Sequence, residues 1–465
     1  MSITPFSLVL LGIVSIIIIR KKRLTSIFES LFALNLIVTL NIRMGYFVQF
    51  GTRTLNYASI LTYFLGFVSI VLLMTSKAKR NRGFIAYMEF LGVLLLGIVI
   101  IAMFPYRELV ITGDWTNYVL GKGTYQSIDI SSIQPGYYLM FISYGLIIFQ
   151  AKKSFNEITW GRVINKVIDV SKYYIVLGYI EWIITNIFHS KIITDLSVSF
   201  FGTFGAQQNL LVRRGLLYSV QGFTKEASMF NTSIFYLALA LMVSMYVYKN
   251  KRRKKWLIAS IILLAINPAM SAYLYILILF IVGMSIGLVN VRNRDKMFWI
   301  RIIIIVLVST SVVVYIWKRA DAFETSSNYA LHRLGLAVHQ LENIFSSNAV
   351  TYSSEGIRFA GINYDFQLFL KRPLFGVGLG AVSCNSGIIT FLVNAGILGV
   401  VFWIRSLRKM VVGEDKRGFA LLIEILLLPN LILNDYETIL CMIIPVICFV
   451  YETKNRRLVG MRSAI

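Results

Sequence analysis

Residues 3–23 read ITPFSLVLLGIVSIIIIRKKR: seventeen residues without a charge, then Arg20, Lys21, Lys22 and Arg23 in succession. An uncharged apolar run of about 17–25 residues is what a helix needs to cross a bilayer. Cations that follow it stay on the cytoplasmic side. The run has no basic segment before it and no small-residue cleavage site after it. It reads as a retained span rather than a removed signal.

The same unit recurs along the chain. Further apolar runs occupy roughly 30–50, 56–75, 84–104, 136–150, 171–188, 227–248, 256–268, 271–289, 298–317, 386–404, 419–433 and 438–451. With the first run they make thirteen. The pair 256–268 and 271–289, parted by Asn267-Pro268, also reads as a broken hairpin of short helices. Basic clusters fall on every second connection: 20–23, 77–82, 152–172, 249–255, 292–301, 405–417 and 454–462 hold 32 of the 46 lysines and arginines. That sorting sets the N-terminus outside and the C-terminus in the cytoplasm. The sequence therefore specifies an all-α polytopic membrane protein of about 12–14 spans, thirteen by this reading, in a single integral domain over 1–465.

Composition agrees. The chain is 57% hydrophobic, with mean hydropathy +0.71 and net charge +24. The charge is a topology signal, so nucleic acid is not an expected partner, whereas membrane lipids are. Three cysteines, Cys384, Cys441 and Cys448, offer no disulfide framework and no metal spacing. The short cytoplasmic connections leave no room for a nucleotide-binding domain, and no Asp-x-Asp pair is present to clamp a metal diphosphate. The longest of them, 151–172, is expected to lie at the interface as an amphipathic helix with Val163, Ile164, Val167 and Ile168 on one face.

Function must then be sought in the outer segments, 105–135, 189–226 and above all the long extracytoplasmic loop 318–385. Within that loop Leu331, Leu334, Val338, Leu341 and Phe345 recur at helical spacing. A second helix is expected over 357–371, ending before Pro373. Arg213 and Arg214 precede Lys225 and Glu226 at the mouth of a span, and Arg358 shares its segment with Asp365, Lys371 and Arg372. Guanidinium groups bind diphosphate in bidentate fashion without a metal. The competing reading is that the paired arginines grip lipid headgroups and that the second group is a surface ion network. Glu181, inside a span, needs a partner, a proton or a cavity. His332, His339 and Glu342 lack the rest of a metal motif, and His339 fits a proton acceptor better than a ligand. Gly376-Val377-Gly378-Leu379-Gly380 reads as a tight turn into a span, not as a dinucleotide site.

Two stretches carry a family resemblance. One is 371-KRPLFGVGLGAVSCNSGIITFLVNAGILGVVFWI-404; the other is 214-RGLLYSVQGFTKEASMFNTSIFY-236. They resemble the PLFGxGxG and R…G…EPS.F elements of the O-antigen polymerase/ligase superfamily, with Ala227 in place of the usual proline. The resemblance implies a glycosyltransferase without cofactor or metal, in the plasma membrane of a bacterium. It implies an undecaprenyl-diphosphate-linked oligosaccharide as substrate, and a chain-length regulator and a flippase of the same pathway as further partners. By position Arg214 (or Arg213) and Arg358 match the family's outer-loop arginines, and Glu226 and Asp365 are the carboxylates of this chain that could act with them. Arg213, Lys225, Lys371, Arg372, His339 and Asn385 are the implied substrate contacts. Ligases carry a histidine after PLFGxGxG where this chain has Cys384-Asn385-Ser386, which favours polymerase. A lipid-linked oligosaccharide flippase and an O-antigen-type ligase are the alternatives.

Overall fold

The computed structural model describes residues 2–42, 45–50, 53–75, 82–112, 124–133, 135–202, 213–214, 217–224, 226–248, 253–267, 269–290, 311, 314–326, 331–332, 334–336, 338–339, 354–382, 386–413, 415–430, 439–441, 443, 445–447 and 450. They are mostly helical. Among the described residues, five helical stretches are long and apolar enough to cross a membrane: Leu24–Asn41, Tyr57–Met74, Arg82–Met103, Ala227–Met245 and Gly387–Val412. Shorter apolar helices, among them Pro5–Arg20, Ser271–Ile286 and Gly418–Asn430, accompany them.

In chain order, β1 (Ser2–Ile3) leads into α1 (Pro5–Arg20), α2 (Leu24–Asn41), β2 (Tyr46–Phe50), β3 (Arg53–Asn56), α3 (Tyr57–Met74), α4 (Arg82–Met103), β4 (Tyr106–Thr112) and β5 (Thr124–Ile128). There follow α5 (Pro135–Ser154), α6 (Glu157–Asn186), α7 (Ile192–Leu196), β6 (Arg213–Arg214), β7 (Leu217–Tyr218), α8 (Ala227–Tyr248), α9 (Lys254–Ile266) and α10 (Met270–Asn290). The last are α11 (Ala320–Glu324), α12 (Ser354–Lys371), α13 (Gly387–Leu407) and α14 (Lys416–Asn430). Helix α2 packs on α3 and α6, α3 on α5, α4 on α13, α8 on α9 and α10, and α10 on α14.

Local chemistry explains the boundaries. Thr4 caps α1, its hydroxyl accepting from the Ser7 N–H, and Pro5 takes the first helical position, where no amide is needed. Around α1, Leu8, Leu11, Ile16 and Ile19 are exposed, an arrangement stable only against an apolar solvent. The main core runs through the helices as aromatic contacts: Phe28, Phe32, Phe155 and Trp160 between α2 and the start of α6, and Phe90, Phe141 and Phe391 between α4, α5 and α13.

The described residues are consistent with the all-α class, with small antiparallel sheets, β1–β2–β3, β4–β5 and β6–β7, beside the helices. Two expectations are corrected. The 30–50 span stops at Asn41, because Tyr46–Phe50, rich in aromatic and β-branched side chains, pairs with Arg53–Asn56 instead. Residues 151–172 are not a separate interfacial helix. They end α5 and then begin α6, a single 30-residue helix with Asn156 as its N-cap. Nothing in the sequence between Glu157 and Asn186 breaks a helix, and Val163, Ile164, Val167 and Ile168 are buried in the protein core instead of facing a membrane surface. At the break expected at Asn267-Pro268, α9 ends at Ile266 and α10 begins at Met270, and α12 covers the helix expected before Pro373. The 298–317 run falls largely outside the described residues, as do Leu341, Phe345 and Glu342, whereas the described residues of the 438–451 run, 439–441, 443, 445–447 and 450, are helical.

Candidate functional site

Residues 213–214, 217–224 and 226 form a strap that is not helical, and residues 219–222 within it are buried. Strand β6 pairs with β7 in antiparallel register, Arg213 opposite Tyr218 and Arg214 opposite Leu217. Beyond the pair, side chains of α6 and of the end of α9 take over the hydrogen bonding. Asn186, at the end of α6, accepts from the Tyr218 N–H at 2.7 Å and donates to its carbonyl at 3.1 Å. Asn267, where α9 ends, does the same to Val220 at 3.0 and 3.2 Å, and also donates to Asn231 Oδ1 on α8 at 2.7 Å. A carboxamide presents one acceptor and one donor side by side, so it satisfies both backbone groups of a residue as a neighbouring strand would.

Glu181 completes the clamp. Only 1% exposed, it takes the Gln221 N–H on one oxygen at 3.0 Å and the Gly222 N–H on the other at 2.7 Å. Two successive amides converge on one carboxylate because Gly222 has φ of 58°, which only glycine adopts readily. The Tyr174 hydroxyl accepts from the Phe223 N–H at 3.2 Å. These amides are therefore occupied by protein, and a ligand's charge must be met by the strap's side chains. Glu226 ends the strap: half-buried, it accepts from the Ser228 hydroxyl at 2.6 Å, and its carbonyl begins α8.

The second segment is the glycine loop 372–382. It folds against a break in α13. Gly396 leaves helical geometry with φ of 67°, and the loop supplies the bonds the helix gives up. Val377 N–H donates to Val393 O at 2.9 Å and Gly378 N–H to Asn394 O at 3.1 Å. In return, Ile397 N–H donates to Pro373 O at 2.8 Å and Leu398 N–H to Leu374 O at 3.1 Å. Asn394 brackets Val382 through its carboxamide, at 3.0 Å to the N–H and 2.7 Å to the carbonyl. Interrupted helices survive at membrane depth only where such partners exist. Beneath the loop, Ile101, Tyr106, Ile133, Leu368 and Val393 form a second core. Arg372 stacks over the Tyr106 ring at 5.3 Å, and Lys371 ends α12 exposed. Asp365, on the same helix, is 4% exposed.

His339 lies between two carboxylates, Nε2 at 3.1 Å from Asp321 and Nδ1 at 3.4 Å from Glu324. Both ring nitrogens face an acid, so the imidazole ties α11 to the helical turn that carries His339. Among the described residues no group of three or more histidine, cysteine, aspartate or glutamate side chains is placed to hold a metal.

The structure gives the backbone positions of Arg213 and Arg214 in β6 and of Arg358 in α12; their side chains, with Lys225 and Asn385, lie outside the described residues. Glu181 was legible as a buried group in need of partners. Asn186, Asn267 and Asn394 as backbone clamps were not; their only sequence signal is an amide interrupting an apolar run. No protein-family model, curated protein or solved structure matches the chain.

Proposed function

We propose that this chain is a polysaccharide repeat-unit polymerase. It transfers a glycan from undecaprenyl diphosphate to a hydroxyl of a second lipid-linked repeat unit at the outer leaflet of a bacterial plasma membrane. The observation that carries the reading is the build of the two segments singled out by the family resemblance. Each is non-helical backbone held rigid inside a helical membrane domain, and each adjoins cations: Arg213 and Arg214 on the strap, Lys371 and Arg372 before the glycine loop. The alternation of basic clusters with apolar runs, read as thirteen spans with the N-terminus outside, assigns both segments to the extracytoplasmic side.

In the reaction the acceptor oxygen bonds to the anomeric carbon of the donor glycan as that carbon's bond to the diphosphate oxygen breaks. The lipid diphosphate leaves with the electron pair, and the hydroxyl proton passes to a carboxylate or an imidazole, with Glu226, Asp365 and His339 the candidates in that order. Charge grows on the departing oxygen, so guanidinium groups fixed in advance, Arg214 and Arg358, stabilise the transition state more than the ground state.

The test uses the purified full chain in liposomes with a short lipid-diphosphate-linked repeat unit. Longer lipid-linked chains are expected. Arg214→Lys and Arg358→Lys should each cut elongation by about a hundredfold or more while the protein inserts normally. Relocation of the unit without a new bond would make the protein a flippase, transfer to a different acceptor would make it a ligase, and normal-length chains from both variants would remove the arginine assignment.

A further inference from the structure

The strap is held far more firmly than chain connectivity requires. Four side chains, Tyr174, Glu181, Asn186 and Asn267, give its backbone seven hydrogen bonds between Tyr218 and Phe223. The clamp also has a direct line to the cations. Asn186 holds both backbone groups of Tyr218, and Tyr218 is the residue paired with Arg213 across the β6–β7 ladder. A shift of Tyr218 therefore moves Arg213 and its neighbour Arg214. At the other end, the single Thr224 O–H lies between the Gln221 carbonyl at 2.6 Å and the Glu226 carbonyl at 2.9 Å and is shared by them, so the turn fixed by Glu181 is tied to the residue that opens α8.

We propose that Glu181, Asn186 and Asn267 are positioning residues for the glycosyl transfer. They touch no substrate. They hold the strap so that Arg213 and Arg214 at its start, and Glu226 at its end, present their side chains in fixed geometry to the lipid diphosphate and the acceptor hydroxyl. The inference rests on the polymerase reading. It adds that the arginines work because buried carboxamides and a buried carboxylate immobilise their backbone. Their unequal routes predict unequal effects. Asn186 acts one residue pair away from the cations, whereas Asn267 also joins α8 to the α9–α10 break and carries more of the fold.

Two measurements on the full-length protein in membranes decide the matter. In a background with Cys384, Cys441 and Cys448 replaced by serine, Val220→Cys places a thiol at a fully buried strap position. Its reaction with a maleimide should be slow, and should quicken about tenfold or more when Asn186→Ala or Glu181→Ala is added, as local opening becomes easier. Glu181→Gln, which keeps an acceptor oxygen for one amide, should fall between. In elongation assays Asn186→Ala should lower kcat about tenfold to a hundredfold while KM for the lipid-linked unit changes less than about threefold, because misplaced groups weaken the transition state first. Asn165→Ala serves as the control. It removes a part-buried hydrogen bond from Arg253 at 2.5 Å elsewhere on α6 and should leave both readouts unchanged.

Unaltered thiol protection in Asn186→Ala and Glu181→Ala would overturn the clamp. A loosened strap with normal kcat, or the same kcat loss in Asn165→Ala, would overturn positioning. If the wild-type protein elongates nothing, the transfer reading falls together with the positioning role, and thiol protection alone then reports whether the pins hold the strap.

Discussion

Asn394 shows how much a single amide can do in this fold. Its carboxamide satisfies both backbone groups of Val382 in a setting where it is itself buried. Replacing it with leucine leaves a donor and an acceptor without partners, at about 1–3 kcal/mol each. Asn394→Leu should therefore lower the thermal unfolding midpoint of the detergent-solubilised protein by several degrees, and an unchanged midpoint would mean the bracket is dispensable. Glycines sort in the same way. At Gly396 φ is 67° and an added Cβ would run into the Leu374 carbonyl. At Gly92, inside α4, an added Cβ would meet open space. Gly396→Ala should destabilise by more than about 1 kcal/mol, whereas Gly92→Ala should be neutral or gain about 0.5–1 kcal/mol from helix propensity. Unfolding midpoints measured side by side test the pair, and equal effects would remove the break at Gly396 as a structural requirement. Neither the amide clamps nor this break was legible in sequence, because what each residue does depends on a partner far along the chain: Asn186 and Asn267 on the strap, Gly396 on the loop after Pro373. The glycine cluster itself was legible as a turn, since Gly376, Gly378 and Gly380 all take positive φ.

Among the elements, the helices were read well where apolar runs end at charges or breakers, as in α8, whose bounds match the expected 227–248. They were misread where hydropathy and helix propensity part company. The charges of Arg162, Lys166, Asp169 and Lys172 suggested that a membrane helix starts only after them. The helix in fact begins at Glu157 and carries those charges on one side while Val163, Ile164, Val167 and Ile168 pack inward. At about 1.5 Å per residue its 30 residues extend some 45 Å, beyond the roughly 30 Å of hydrocarbon in a bilayer. A substitution distinguishes the two readings. Lys172→Pro sits in mid-helix, where it removes a backbone bond and should cost about 3 kcal/mol or more. Were 151–172 a separate helix joined by a turn, proline there would be tolerated. The yield of folded monomer and its unfolding midpoint, compared with Lys172→Ala, give the answer; equal values for the two would restore the separate interfacial helix.

For the whole molecule, the sequence supplies the order of apolar and basic segments but not which helices are neighbours. Neighbourhood is decided by fit: the Tyr87 ring lies against Gly145, the Ser143 side chain against Gly66, and the backbone at Met410 against Gly83, each a place where a larger residue would hold two helices apart. Such pairs leave no trace in a hydropathy profile. The charge pattern does make a global statement that can be tested, because it predicts an odd number of crossings. The thirteen-span reading puts the chain termini on opposite sides. The short pair α9 and α10 does not disturb this result: α9 has 13 residues, about 20 Å, and if the pair enters and leaves by the same face, two crossings vanish and the count stays odd. A fluorescent protein fused after residue 465 should therefore glow in the cytoplasm. Alkaline phosphatase inserted between β4 and β5 should be active, and the same enzyme placed after Tyr248 should be silent. Phosphatase activity at both internal sites, or a dark C-terminal fusion in a protein that still inserts, would reverse the orientation. The strap and the glycine loop would then face the cytoplasm, out of reach of an outer-leaflet donor, and the polymerase reading could not stand.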